Sequence, residues 1–114
     1  MFKPGNKKAC FICCSFIDQY QGAAPHLKPR ASLIVVGKAP YAEIGPAVAD
    51  KDWDDIQVLS AGTSSFNEDL GVSWTAEQDA AKDRPYNYGR QWMWGTEGPG
   101  LSAFRLEDGK VYHT

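Results

Sequence analysis

The chain lacks the marks of several protein classes. No apolar run approaches the ~20 residues of a membrane span. The start, MFKPGNKKAC, has lysines but no apolar stretch after them, so it does not read as a secretory signal. With a net charge of −2 there is no electrostatic footprint for nucleic acid. Neither a GxGxxG nor a P-loop occurs, so no nucleotide and no other cofactor is expected. Cysteine is scarce. Three residues, an odd number, on a chain without an export signal argue against a disulfide framework and for a cytoplasmic location. There is no internal repeat and no low-complexity segment.

What remains is one domain's worth of chain, 114 residues, with enough aromatic side chains (four Trp, five Tyr, five Phe) for a core. Charge is unevenly spread. Residues 1–30 carry five bases against one acid, and the remainder carries seven against thirteen. The basic end also holds Cys10, Cys13 and Cys14.

Residues 1–9 read as a loop. Over residues 13–24 the apolar side chains Phe16, Ile17, Tyr20, Ala23 and Ala24 recur at offsets of three and four, which predicts a helix. Pro25 is expected to break or kink it. Residues 32–37 (SLIVVG) read as a strand buried on both faces, of the kind found in a parallel sheet. A weak helix over 41–50 and a short strand over 56–59 follow. Ser64 or Ser65 is expected to cap a turn through Leu70. Residues 73–98 show no clear period and read as an irregular loop or insertion. Residues 101–106 and 110–113 flank Asp108-Gly109, a strong hairpin signal. Alternating helix and strand followed by a hairpin predicts an α/β fold, a mixed sheet with flanking helices.

The chemistry lies in Cys10-Phe11-Ile12-Cys13, placed where a polar loop meets the predicted helix. The first turn of a helix offers unpaired N–H groups and a partial positive charge, which favour a thiolate. Thiolate is the reactive form, and two intervening residues let the second thiol reach the first. Lys7 and Lys8 would add to this. The expected roles are attack by Cys10 and resolution by Cys13. The same spacing serves zinc, but a closed site needs four ligands. Only Cys14 and His26 stand nearby, and no second C-x-x-C exists, so no metal is expected. A structural pair of cysteines is the third reading. Cys14 reads as a small buried hydrophobe. Pro99 precedes the hairpin strand and is read as shaping a groove beside the thiols. Punctuation ahead of a strand is the plain alternative, with a trans bond as the default.

Several ordered motifs together resemble a known family. Met1-Phe2-x-Pro4 leads into Cys10-x-x-Cys13, and Ala24-Pro25-His26-Leu27 follows. Then come Val36-x-Lys38-Ala39-Pro40, Ser64-Ser65-Phe66-Asn67-x-Asp69-Leu70-Gly71-Val72, Tyr86-Asn87-Tyr88 and Pro99-Gly100-Leu101-Ser102-x-Phe104. In order and spacing these resemble the thioredoxin-like family of unknown function numbered 899, described as predicted dithiol-disulfide oxidoreductases. The resemblance implies a thioredoxin-like sheet and a thiol–disulfide exchange site at Cys10 and Cys13. It implies a substrate groove at Phe11, Ile12 and Pro99, where that fold carries a cis-proline. Supporting places fall to His26, Asn67 and Asp69. Phe11 stands where the family usually has proline, and Cys14 where it more often has serine or threonine. The resemblance further implies a shortened member, its sheet incomplete at both ends, with a hydrophobic slot beside Leu33–Val36.

The expected partner is therefore a protein or small-molecule thiol or disulfide, not nucleic acid or a membrane. A second copy pairing through an exposed strand edge is also expected. The alternative function is a redox-inactive thioredoxin-fold binding module, or a fragment without function. Smaller features have plain readings. The acidic run Asp50–Asp55 around Trp53 reads as a solvated turn. The aromatics Trp74, Tyr86, Tyr88, Trp92 and Trp94 read as core cover or as the lining of a groove over the thiols.

Overall fold

The computed structural model describes residues 2–6 and 8–114. Its first element, α1 (Phe11–Leu27), is longer than the apolar pattern predicts. Its inner face is Cys14, Ile17 and Ala24, spaced three and seven residues apart, the two-turn repeat of one helix stripe. Pro25 lies inside the last turn and does not stop the helix. A proline there removes one N–H, the donor that would reach the Gln21 carbonyl, while Lys28 N–H still closes onto Ala24 at 2.9 Å.

Two strands, β1 (Ile34–Gly37) and β2 (Gln57–Ser60), pair in parallel, with Val35 opposite Val58 and Val36 opposite Leu59. The crossover between them carries α2 (Tyr41–Val48). The parallel pairing is as the apolar run predicts. Burial on both faces is not: Ile34 is exposed, Val35 and Val36 are half-buried, and Gly37 alone of β1 is buried.

The core lies between α1, α2 and this pair. Ile44 of α2 is fully buried at its centre, with Phe2, Ile17, Ala39, Trp53 and Ile56 around it. Two of these sit in segments that read from sequence as a loop and as a solvated turn. Phe2, in the N-terminal loop, lies against Gly37, and its carbonyl accepts from Ala39 N–H at 2.8 Å. Trp53, inside the acidic run, buries its ring and donates from Nε1 to Asp18 Oδ1 at 2.8 Å. Around it, Asp55 is bound by Lys28 (3.1 Å) and donates its own N–H to Gln21 Oε1. That acidic turn is thus the seat of one core tryptophan on α1.

Residues 73–98, expected to be irregular, hold structure of their own. Helix α3 (Phe66–Asp69) precedes them, with Ser65 at its N-cap bonding Asp69 Oδ2 (2.7 Å). Helix α4 (Ala76–Ala81) starts with a full capping box between Thr75 and Gln78. The short pair β3 (Pro85–Tyr86) and β4 (Arg90–Gln91) turns through Asn87, Tyr88 and Gly89, all at positive φ. Its aromatics form a second cluster. Trp74 stacks on Trp92 (6.2 Å) and meets Tyr86 edge-on (6.0 Å), and Trp92 meets Trp94. These aromatics are therefore cover for their own segment, except Tyr88, which is fully exposed.

The hairpin forms as predicted: β5 (Phe104–Glu107) and β6 (Lys110–His113), with Asp108 and Gly109 both at positive φ. It does not join β1 and β2. Instead of the expected mixed sheet, the described residues form three separate two-stranded sheets within an α/β fold. The hairpin is exposed along its length and touches α3 through the Phe66 and Phe104 rings, 6.5 Å apart. The radius of gyration, 14.9 Å, exceeds the ~13 Å of a compact chain this long.

Packing at two glycines sets opposite expectations for stability. A Cβ at Gly37 would sit 2.8 Å from the Phe2 side chain and 3.0 Å from Ile44, with no room for either to yield. Gly37→Ala is therefore expected to cost about 1–3 kcal/mol in urea unfolding. Gly22→Ala, in the open middle of α1, is expected to gain about 0.5–1 kcal/mol. Separately, Glu97 is half-buried beside Ser73, whose hydroxyl donates to its carboxylate. Burial pushes the Glu97 pKa up, against the pull of that hydroxyl. Folding therefore favours the protonated form, and stability falls as pH rises through the carboxylate range. Glu97→Gln is expected to be more stable than the parent at pH 7, with the difference vanishing near pH 3 in urea melts.

Candidate functional site

Three cysteines begin α1, and the helix sorts them. Cys10 is the N-cap residue in extended backbone, exposed; Cys13 is half-buried; Cys14 is buried. Cys10 and Cys13, three residues apart, share one side of the first turn. Cys14 is rotated by about 100° from Cys13 and faces inward with Ile17 and Ala24.

The two outer thiols are electrostatically unlike. Cys10 makes no side-chain capping bond of ordinary geometry. The backbone N–H of Cys13, then the Cys13 thiol, and more weakly the Ile12 N–H still draw its pKa below the free-thiol value. These are the orphan donors of a helix start. Cys13 moves the other way, pushed up first by burial and then by serving Cys10 as a hydrogen-bond partner. Cys14 is pushed up by burial, with Lys51 opposing. The arrangement sets one exposed sulfur biased toward thiolate against one half-buried neighbour biased toward thiol.

The other expected site residues fall in different places. Phe11 and Ile12 lie beside the pair and are strongly exposed, as is Phe16 one turn on. They offer an apolar surface next to Cys10. Lys8 is exposed in the preceding loop; Lys7 lies outside the described residues. His26 is in the last turn of the same helix, sixteen residues on, or about 24 Å along the axis. It does not serve the thiols, which corrects the expectation from resemblance. The rise of a helix already implied this distance.

Asn67 and Asp69 belong to α3. It is held at the end of β1 by Lys38, which pairs with Glu68 (2.7 Å) and the Ser64 carbonyl. Asp69 is used by Ser65, and Asn67 is buried with its side-chain oxygen lacking a partner among the described residues. Among those residues, no hydrogen bond or ion pair joins either one to Cys10 or Cys13. Pro99 is in the aromatic segment, where its carbonyl accepts from the Tyr86 hydroxyl at 2.8 Å. No peptide bond among the described residues is cis, so the Gly98–Pro99 bond is trans and departs from the cis-proline that the resemblance implies. Among the described residues, no group of three or more His, Cys, Asp or Glu is placed to hold a metal ion. Nor is any described helix long and apolar enough to cross a membrane.

One feature of the site was not legible. A cavity of about 370 Å³ opens between the start of α1 and the end of α2, lined by Lys8, Ala9, Phe11, Cys14 and, across it, Pro46, Ala47, Asp50 and Lys51. No sequence motif marks it, because it depends on how α2 lies against α1.

The chain is thus α/β, with a C-x-x-C opening its first helix. Its family is defined along the whole chain. A family model described as bacterial protein of unknown function, DUF899, matches residues 1–114, and the chain belongs to that family. No curated protein and no solved structure matches it.

The inequality of the thiols can be measured. With Cys14 changed to serine, Cys10 is expected to alkylate with iodoacetamide at a pH below that of a free thiol, and Cys13 above it. Cys10→Ser should abolish the low-pH phase. Two thiols titrating together at the free value would contradict the arrangement.

Proposed function

We propose that the protein is a thioredoxin-like thiol–disulfide oxidoreductase. One observation carries the reading. Across a single helical turn, the exposed Cys10 is poised toward thiolate and the half-buried Cys13 toward thiol. That is the division of labour that disulfide exchange needs. The chain order supports it: a dithiol helix, a parallel β–α–β unit and a closing hairpin.

In the exchange, the Cys10 thiolate attacks one sulfur of a substrate disulfide. The substrate S–S bond breaks, a mixed disulfide forms, and the departing thiolate takes a proton from water. Cys13, losing its proton as it attacks, displaces the second substrate sulfur and forms the Cys10–Cys13 bond. The substrate has gained two electrons and two protons, and an external dithiol returns the protein to its reduced form. Cys14 takes no part, since it lies on the inner face of α1 and burial pushes its pKa up.

A binding module is the second reading. The exposed apolar side chains Phe11, Ile12 and Phe16 favour it, because such a surface can hold a partner with no exchange at all.

The deciding experiment is equilibration in glutathione redox buffers, read by alkylation and mass spectrometry. The expected result is a reversible two-electron transition linking Cys10 and Cys13, with Cys14 free throughout. Cys13→Ser should accumulate a mixed disulfide on Cys10. The absence of a defined disulfide, or a mixture that includes Cys14, would leave the binding module as the function.

A further inference from the structure

The hairpin β5–β6 is the least covered element of the fold. Every residue from Pro99 to Thr114 is exposed, and among the described residues no third strand pairs with either edge of the hairpin. Alternation sorts its side chains. On one face stand Phe104, Leu106, Val111 and His113, with Leu106 (72% exposed) directly opposite Val111 (69%). On the other face Arg105 lies opposite Tyr112 and Glu107 opposite Lys110, and Arg105 also binds Glu107 at 2.5 Å.

The backbone alternates in the same way. Thr114 N–H donates to the Ala103 carbonyl at 2.9 Å, so Ala103 turns its polar groups toward the β6 side. By the same alternation Arg105 and Glu107 also turn theirs toward β6, while Phe104 and Leu106 turn theirs outward. The outer edge of β5 is therefore open, and only these outward-turned residues can form hydrogen-bonded pairs across it.

Charge selects the register for a second β5 arriving antiparallel. With Leu106 opposite Leu106 of the second copy, the outward groups of the two exchange N–H···O bonds. Arg105 then faces Glu107 of the second copy, and symmetry makes that pair twice. Sliding by one pair either way sets Arg105 against Arg105, or Glu107 against Glu107, and like charges directly opposite are destabilising. In the matched register both faces agree. Val111, Leu106 and the same two residues of the second copy make one aliphatic row. On the other face Lys110, Glu107 and Arg105 of the second copy alternate in sign.

We propose that the protein self-associates through this edge, as a two-fold dimer in which two β5 strands join two hairpins into one four-stranded antiparallel sheet centred on Leu106. The occupant of the open edge is thus a second copy of this chain. A lone two-stranded hairpin is marginal in water, whereas three or more strands with an apolar face hold together. The contact is short, well under a standard interface, so the dimer is weak and concentration-dependent. The proposal does not rest on the thiol chemistry.

The test is sedimentation equilibrium of the full chain at low salt, with the thiols kept reduced so that no disulfide links two copies. A reversible monomer–dimer equilibrium is expected in the high-micromolar range. Arg105→Glu and Glu107→Arg each turn both cross-strand attractions into repulsions, and each is expected to weaken the dimer about tenfold. An equimolar mixture of these two variants restores both pairs and is expected to recover association as a heterodimer, which loss of fold in either variant would not allow. Leu106→Lys, a change at an exposed position, sets two ammonium groups against each other at the symmetry axis and is expected to abolish the dimer with both ion pairs left in place. A chain that stays monomeric at about 1 mM, or association that ignores all three variants, would overturn the proposal. So would a mixture no more associated than its parts, or growth beyond the dimer, which a β5 edge laid on a β6 edge would give.

Discussion

The structure turns on the contact of Phe2 with Gly37. The phenyl ring occupies the space that any Cβ at position 37 would fill, and the Phe2 carbonyl binds Ala39 just beyond β1. The loop that leads into α1 is thereby anchored to the C-terminal end of the parallel pair. That end is where open α/β sheets carry their functional crevices. Because the loop is held there, α1 begins beside the end of α2, and the cavity between the two helices exists at all. Gly5 N–H on the Glu43 carboxylate (2.8 Å) fixes the same loop to the first turn of α2. The dithiol therefore sits on a short tether with two fixed points, and Ile44 of α2 fills the space behind it.

Much of the frame was legible because local pattern determined it. The four-residue apolar run specified a parallel strand, Asp108-Gly109 a hairpin, and the offsets of Ile17 and Ala24 the buried stripe of α1. The capping box Thr75–Gln78 is equally local, yet it opens a helix of only six residues, too short to show a period. Tertiary placement was not legible. Trp53 is buried against α1 with its indole N–H on Asp18, a pairing 35 residues apart. Phe2 packs where a Cβ at residue 37 would stand. Neither contact leaves a mark within a local window.

Resemblance, in turn, added four residues to a C-x-x-C that the sequence itself had marked. His26, Asn67, Asp69 and Pro99 share no hydrogen bond or ion pair with the thiols among the described residues. His26 sits in the last turn of α1, and Asn67 on the buried side of α3. Asp69 binds Ser65, and Pro99 takes the Tyr86 hydroxyl. The separation of the hairpin from β1 and β2 has a plain energetic meaning. Two-stranded sheets are marginal alone in water, so each of the three depends on what its faces meet. The β1–β2 pair has α1 and α2, and β3–β4 has the tryptophans. The hairpin has little beyond Phe66, and Leu106 and Val111 remain exposed.

The third cysteine shows how a single helix can set three neighbouring thiols apart. A C-x-x-C followed at once by another Cys invites scrambling in an unfolded chain, where all three sulfurs are equivalent. In the helix they are not. A step of three residues keeps Cys10 and Cys13 on one side, while one further residue turns the next side chain by about 100°. The periodicity that makes Ile17 and Ala24 core residues makes Cys14 one too, and its burial disfavours the thiolate that exchange requires. The Cys10 sulfur, beyond the first turn and free of the core, gains the opposite bias from the same backbone. Selectivity among the three thiols thus comes from the helix itself, and it lasts only while α1 stays packed on Ile44 and Trp53.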